Sequence, residues 1–319
     1  MHLCKYLALF SEKICIFKKN VVLLRAFLYF LCKVRKLLGT ILLLTFAALS
    51  WAENQAADWT WQNGELPGRF QVNAAGDVVL FAQGNLVYNS TSDEWSFASH
   101  QFDVIGEANL VSGSTELANR IDLFGWSGDG NMASNFGVTN TASTSAYAGE
   151  FVNWGDNPIT TDGNKAYAWR TLSSDEWTYI LTNHEQYATT INGVKGIALI
   201  PKQTTLTKEE KKDTYTASEW QPIEAKGVVF LPLTGFRAAN STSVSQVNDV
   251  AYYWTSTKSG TTSAMIMRCT TTAADEPTSC TRKQGNPVRL VKASSFCTVN
   301  VKAVPNIAGA GDITITVIE

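Results

Sequence analysis

Histidine is nearly missing from this chain. There are three in 319 residues, and one of them, His2, sits near the start. A metal centre built on several imidazoles has only His100 and His184 to draw on. His184 falls at a predicted helix end, where a cation suits the helix dipole. Cysteine is also scarce. Cys4, Cys15 and Cys32 lie in the first 52 residues, which leaves Cys269, Cys280 and Cys297. No small residue precedes the first three in the arrangement that directs lipid attachment, so a lipid anchor is not expected. Clustered basic residues are missing beyond the N-terminal segment. Residues 1–52 hold eight of the 26 Lys and Arg and one of the 28 acids, so the remainder keeps 18 basic and 27 acidic residues, a formal net of −9. Nucleic-acid binding needs clustered Lys and Arg that release counterions, and this balance argues against it. The one local charge run, residues 208–213, mixes signs and reads as a solvated loop.

The N-terminal segment has a basic start, an apolar core at residues 37–49, and Ser50-Trp51-Ala52, which puts small residues where a signal peptidase reads. The core is shorter than the roughly 20 residues a spanning helix needs. Residues 1–52 are therefore expected to be a cleaved signal peptide, and the protein to be secreted, periplasmic or on the cell surface. The alternative is an uncleaved anchor that also uses Val21–Cys32, the one route to membrane association. Val34 is a candidate for the true start, because the stretch ahead of it is longer than a leader needs. The roughly 265 residues that follow allow one large domain, or one domain plus an appendage. An exported protein can keep disulfides. Cys269 and Cys280 flank the polar stretch Thr270–Ser279, and a bridge between them would contribute about 2–3 kcal/mol. Other pairings with Cys297, or three unpaired thiols, remain open.

Residues 53–64 read as a loose lead-in with two tryptophans. Val78–Phe81, Asn85–Tyr88 and Trp95–Phe97 read as strands, and the last two flank a polar turn as a hairpin does. Phe102–Gly106 is a further strand candidate. Residues 106–165 are rich in Gly, Asn, Ser, Thr and Asp with isolated aromatics, the pattern of long loops pinned by side chains. Ser173-Ser174-Asp175-Glu176 fits a helix capping box, and Trp177, Ile180 and Leu181 follow on one face. A shorter helix is expected from a Ser218 cap and to stop by Gly227, with Pro222 tolerable only near its start. Gly196–Pro201 and Val228–Pro232 read as buried strands. Residues 294–319 alternate in two stretches around a Gly-rich turn, as in a β-hairpin appendage or the first strands of a truncated repeat module.

An ordered series runs through residues 65–293. It comprises Gly84-Asn85-Leu86, Ile121–Trp126, Asn153-Trp154-Gly155, Trp169–Leu172 with Glu176-Trp177, Asn192–Gly196, Phe230-Leu231-Pro232 with Gly235-Phe236-Arg237, Trp254-Thr255-Ser256 and Val288–Val291. This series resembles the secreted Bacteroidetes proteins with a C-type-lectin-like, sulfatase-modifying (formylglycine-generating-enzyme-like) domain. The resemblance implies an α+β, C-type-lectin-like fold with twisted antiparallel strands, two helices and long ordered loops. It also implies that Arg289 is paired inside the fold. It places a ligand surface between the Trp-x-Ser and Val-Arg-Leu elements, where the candidates are Lys258, Thr262, Met265, Met267, Arg268, Arg282 and Lys283. Met265 and Met267 share one face of a strand.

The enzymes of that resemblance need a redox-active Cys pair ahead of the closing strand, and Lys258–Met267 contains none. With too few histidines as well, neither thiolate catalysis nor an iron centre is expected. Gly125-Trp126-Ser127-Gly128 is not a nucleophile elbow, because Asp129 replaces the last glycine. Asp129, Asn131, Asp156, Asn157 and Asp162 are candidate Ca²⁺ ligands, although an EF-hand's closing glutamate is missing; the alternative is that they cap their own turns. No other cofactor is implied. A hidden carboxylate pair for glycoside hydrolysis stays open. Trp95, Trp177, Trp220 and Trp254 fall in strand or helix patterns and are expected in the core. Trp126 and Trp154, in the long loops, are candidates for stacking on a ligand or for anchoring the loops. The expectation is a non-catalytic, adhesin-like binding protein for a glycan or protein ligand. The alternatives are an enzyme or degenerate enzyme of the sulfatase-modifying type, and a structural component of a surface assembly whose C-terminal hairpin pairs with another chain.

Overall fold

The computed structural model describes residues 61–109, 118–126, 150–239, 241, 243–294, 299–303 and 313–317. The expected leader, Asp129, Asn131 and Cys297 lie outside these residues. The described chain is α+β and rich in strands, whose ladders are antiparallel apart from one short parallel pairing and two isolated parallel bridges. The first sheet has the order β1 (Glu65–Gln71), β2 (Val78–Ala82), β16 (Leu290–Ala293) and β6 (Arg170–Thr171). The second has the order β10 (Val229–Pro232), β8 (Val194–Ile200), β7 (Glu185–Ile191) and β9 (Thr214–Tyr215), with β7 and β9 parallel. A third sheet, β13 (Val250–Ser259), β14 (Ser263–Thr270) and β15 (Ala274–Thr281), is a meander. Smaller sheets join β4 (Glu94–Phe97), β3 (Leu86–Asn89) and β5 (Arg120–Ile121), and β11 (Phe236–Arg237) with β12 (Val244–Ser245). Near the C-terminus, β17 (Val299–Ala303) pairs with β18 (Ile313–Val317).

Two apolar cores account for the uneven patterning of the strands. Tyr253, Met267 and Val291 belong to one core with Phe70, Phe81, Trp177 and Leu231. Their chain neighbours Trp254, Ile266 and Leu290 belong to the other, with Trp95, Phe124, Trp126, Trp154 and Trp169. Adjacent residues of a strand face opposite ways, so β13, β14 and β16 run between the cores. A strand covered on both faces reads as consecutive apolar residues rather than strict alternation.

Helix α1 (Ser174–Asn183) begins at the expected cap. The Ser173 hydroxyl accepts from the Glu176 N–H, and the Glu176 carboxylate accepts from the Ser173 N–H. Trp177 and Ile180 are buried, each contributing roughly 1.5–3 kcal/mol. Helix α2 (Ala217–Ala225) departs from expectation. Its cap is Thr216, two residues before Ser218, with Glu219 completing a capping box. The Thr-x-x-Glu spacing was present in the sequence, and Ser218 lies inside the first turn. Pro222 therefore sits in the helix interior, where one hydrogen bond is lost, and the helix ends three residues later. Phe102–Gly106 forms no strand; the segment turns into a short 3-10 helix at Gly106–Asn109. The lead-in is pinned at its end: the Trp61 indole donates to the buried Glu224 carboxylate, which also accepts from Trp220 Nε1 at 3.0 Å.

Thr270–Ser279 is not a loop but a tight turn followed by most of β15. This removes the expected Cys269–Cys280 bridge. Cys269 pairs across the ladder with Ala274, and Cys280 with Ala264. These rungs are five residues apart along β14, or about 16 Å, far beyond the roughly 7 Å a disulfide tolerates between Cα atoms. Both thiols are unbridged.

His184 caps the C-terminal end of α1 as expected, but it is buried, with its ring nitrogens 3.4 Å from the Gln71 and Ile200 carbonyl oxygens. Burial holds its pKa below the ordinary value, outweighing those two carbonyls. The unfolded chain therefore binds the proton more readily. The stability His184 contributes is present above about pH 6.5 and is lost as pH falls through the folded value. Burial raises the pKa of the Asp122 and Glu224 carboxyls, which act with the opposite sign. A comparison with His184→Gln isolates the imidazole. The stability difference between wild type and variant is expected to move toward the variant as pH is lowered from about 7 to about 5.5. A difference that stays constant across that range in chemical denaturation would rule out this titration.

Candidate functional site

The β13–β14–β15 meander carries a cleft of about 280 Å³. Alternation explains which side chains reach it. Tyr253 points into the first core, so Tyr252 points the other way, half-buried, with its ring 5.1 Å from that of Phe236 on β11. These two rings form one wall. Arg268 lies opposite Asp275 in the ladder, and its Nε and one terminal nitrogen donate to Asp275 Oδ2 at 2.9 and 2.6 Å. The pair is about half exposed, so its guanidinium is held in place but still accessible to solvent. Ile266, Thr278, Ser279, Cys280 and Gln284 complete the lining. A β-bulge after Ile266 gives β15 one extra residue opposite Met267, which re-aims this end of the strand. Pro277 is compatible with β15 because that strand lies at the sheet edge. The Cys280 Sγ lies 3.2 Å from Gln284 Oε1, and burial pushes its pKa up to about 11, so it is a neutral thiol at pH 7. Burial also raises the Cys269 thiol pKa.

Of the residues expected to bind ligand, Arg268 lines this cleft. Four others are corrected by their burial. Met267 is fully enclosed in the first core, so it does not share a binding surface with the half-buried Met265. Arg282 is buried: Nε donates to the Ser263 carbonyl at 3.1 Å, a terminal nitrogen donates to the Gly260 carbonyl at 2.9 Å, and the guanidinium lies 4.4 Å from the Trp126 ring centroid. It braces the β13–β14 turn. Trp126 and Trp154 are 0% and 1% exposed and present no face to a ligand. Phe151 packs 5.2 Å from Trp126 and 5.5 Å from Trp154, and together they anchor the loop ends to the second core. Lys258 pairs with Glu150 at 2.5 Å, Thr262 is exposed in the β13–β14 turn, and Lys283 is half-buried.

Two of the three described Ca²⁺ candidates do capping or core work. Asn157 Nδ2 donates to the Trp154 carbonyl within its own turn, and buried Asp162 accepts from Trp169 Nε1 at 3.1 Å. Asp156 is exposed. Among the described residues, no group of three or more His, Cys, Asp or Glu converges as a metal site. Sequence reasoning missed Phe236, Tyr252, Ile266, Thr278, Ser279, Cys280 and Gln284 as lining residues. Only the parity of Tyr252 relative to Tyr253 hinted at one of them. Comparison with known protein families, curated proteins and solved structures finds no match to this chain.

Proposed function

We propose that the protein is a secreted or surface-exposed, non-catalytic binding protein with a C-type-lectin-like domain, and that it recognises a glycan through the cleft on the C-terminal sheet. The observation that carries this reading is the lining itself. Two aromatic rings can pack on the C–H face of a sugar, while a fixed Arg–Asp pair, two hydroxyls and an amide can meet its hydroxyls. The α+β architecture and the ordered motif series support the lectin-like assignment. A protonated Cys280 and a buried Cys269 weigh against thiolate chemistry of the sulfatase-modifying type.

The purified protein, applied to glycan arrays beside Tyr252→Ala and Arg268→Ala variants, is expected to bind a defined sugar class. Each variant should weaken the interaction about tenfold or more while keeping the wild-type circular dichroism spectrum. Binding that both variants retain would move the site elsewhere. Binding confined to a parallel protein array would replace the glycan with a protein ligand.

A further inference from the structure

A second cleft, of about 380 Å³, opens where the segment Ser99–Ile105 meets β5 and the β7–β8 turn. It lies within the size range of small-molecule sites. Its scaffold is fixed by buried bonds. Asp122, just after β5, is 2% exposed and accepts from the Ile105 N–H at 2.8 Å and from Asn109 Nδ2 at 2.9 Å. Asn109 Oδ1 in turn accepts the Asp122 and Leu123 N–H groups. The opposite wall is the two-residue turn Asn192-Gly193, both at positive φ (49° and 83°), a conformation these residues favour in hairpins.

The cleft holds hydrogen-bonding capacity that has no partner among the described residues. Arg120 makes no direct side-chain hydrogen bond or ion pair among the described residues, its charge acting on buried Asp122 only at longer range, and neither the Asn192 amide nor the Ser99 hydroxyl has a partner among them. Among the described residues, Asp103 uses only Oδ2, which accepts from the His100 N–H and lies 3.0 Å from His100 Nδ1. Val104 and Val194 add half-buried apolar wall between these groups. The charges decide the ligand class. A simple anion would meet Asp103 and Asp122, and a simple cation would meet Arg120. A neutral ligand would leave both signs with dipoles alone. A ligand carrying both charges satisfies each, and charge-assisted bonds are the strong ones.

We propose that this cleft binds a zwitterionic α-amino acid, its carboxylate on Arg120, its ammonium on Asp103, and an aliphatic side chain on Val104 and Val194. The proposal does not depend on the glycan reading. Isothermal titration of the purified full chain with leucine is expected to show saturable binding at millimolar or lower concentration. N-acetyl-leucine and leucine amide, each lacking one charge, should bind about tenfold or more weakly. Arg120→Gln and Asp103→Asn should each cause a loss of that size, whereas Arg268→Ala in the other cleft should not. Arg120 is exposed, so its variant is expected to keep the wild-type thermal transition, which separates loss of binding from loss of fold. No saturable binding of leucine, equal binding of the acetylated form, or full affinity in Arg120→Gln would overturn the proposal.

Discussion

Replacing Arg289 with methionine is expected to destabilise the protein by about 3–5 kcal/mol, a large share of the roughly 5–15 kcal/mol that holds a typical domain folded. Arg289 is 1% exposed and, among the described residues, has no carboxylate in direct contact. Its Nε donates to Asn85 Oδ1 at 3.0 Å, and its terminal nitrogens donate to the Ala82 and Phe230 carbonyls at 2.9 and 2.8 Å. Ala82 ends β2 and Phe230 lies in β10, so one side chain ties the first sheet to the second. Burial pushes its pKa down to about 10, and it stays charged at pH 7. Methionine relieves the desolvation of that charge but leaves three buried acceptors without donors. Each lost bond to a charged donor is worth about 1.5–3 kcal/mol, more than the relief. Lysine, with its single ammonium on a flexible stem, cannot reproduce the planar fork and is expected to lose nearly as much. Urea denaturation gives the measurement. A methionine variant within about 1 kcal/mol of wild type would show that the three acceptors find other donors.

Trp126→Ala is expected to cost about 3–5 kcal/mol through the cavity it leaves. The ring is completely buried between Phe151 and the Arg282 guanidinium, and its Nε1 donates to the Thr255 carbonyl at 2.8 Å. Trp126→Phe keeps much of the volume and loses the hydrogen bond, so it should fall between alanine and wild type. The result separates two roles. A ligand-stacking tryptophan would leave the melting temperature unchanged on truncation and abolish binding. A core tryptophan lowers the melting temperature whether or not ligand is present. Thermal denaturation without ligand is therefore sufficient, and an alanine variant as stable as wild type would return Trp126 to the list of binding residues.

The elements that could be read from the chain are those held by short-range bonds. Ser173 and Glu176 satisfy each other's backbone across three residues, so α1 starts where its capping box stands. Leu86–Asn89 and Glu94–Phe97 pair across their own polar turn with Leu86 opposite Phe97, so this hairpin needs no distant partner to be recognised. Thr216 and Glu219 carry the same local signal, with a competing cap residue type at Ser218 and an interior Pro222 beside it. Gly155 stands apart. Its place in Asn153-Trp154-Gly155 is visible, but its necessity is not, because a Cβ there would lie 1.9 Å from the Trp169 carbonyl oxygen.

The site itself was decided by contacts between residues far apart in the chain. Phe236, Tyr252, Arg268 and Gln284 share one cleft because β11 lies beside the meander and a single bulge re-aims one end of β15. Trp126 and Trp154 look alike as isolated loop aromatics, and only the packing of Phe151 and Arg282 makes them core. Cys269 and Cys280 are eleven residues apart in a loop-like composition, and only the ladder register separates them by five rungs. Capping and turn chemistry act within a few residues and are written in local order. Burial, strand parity and cleft shape depend on which distant strand lies alongside, a choice set by the summed packing of both cores rather than by any one segment.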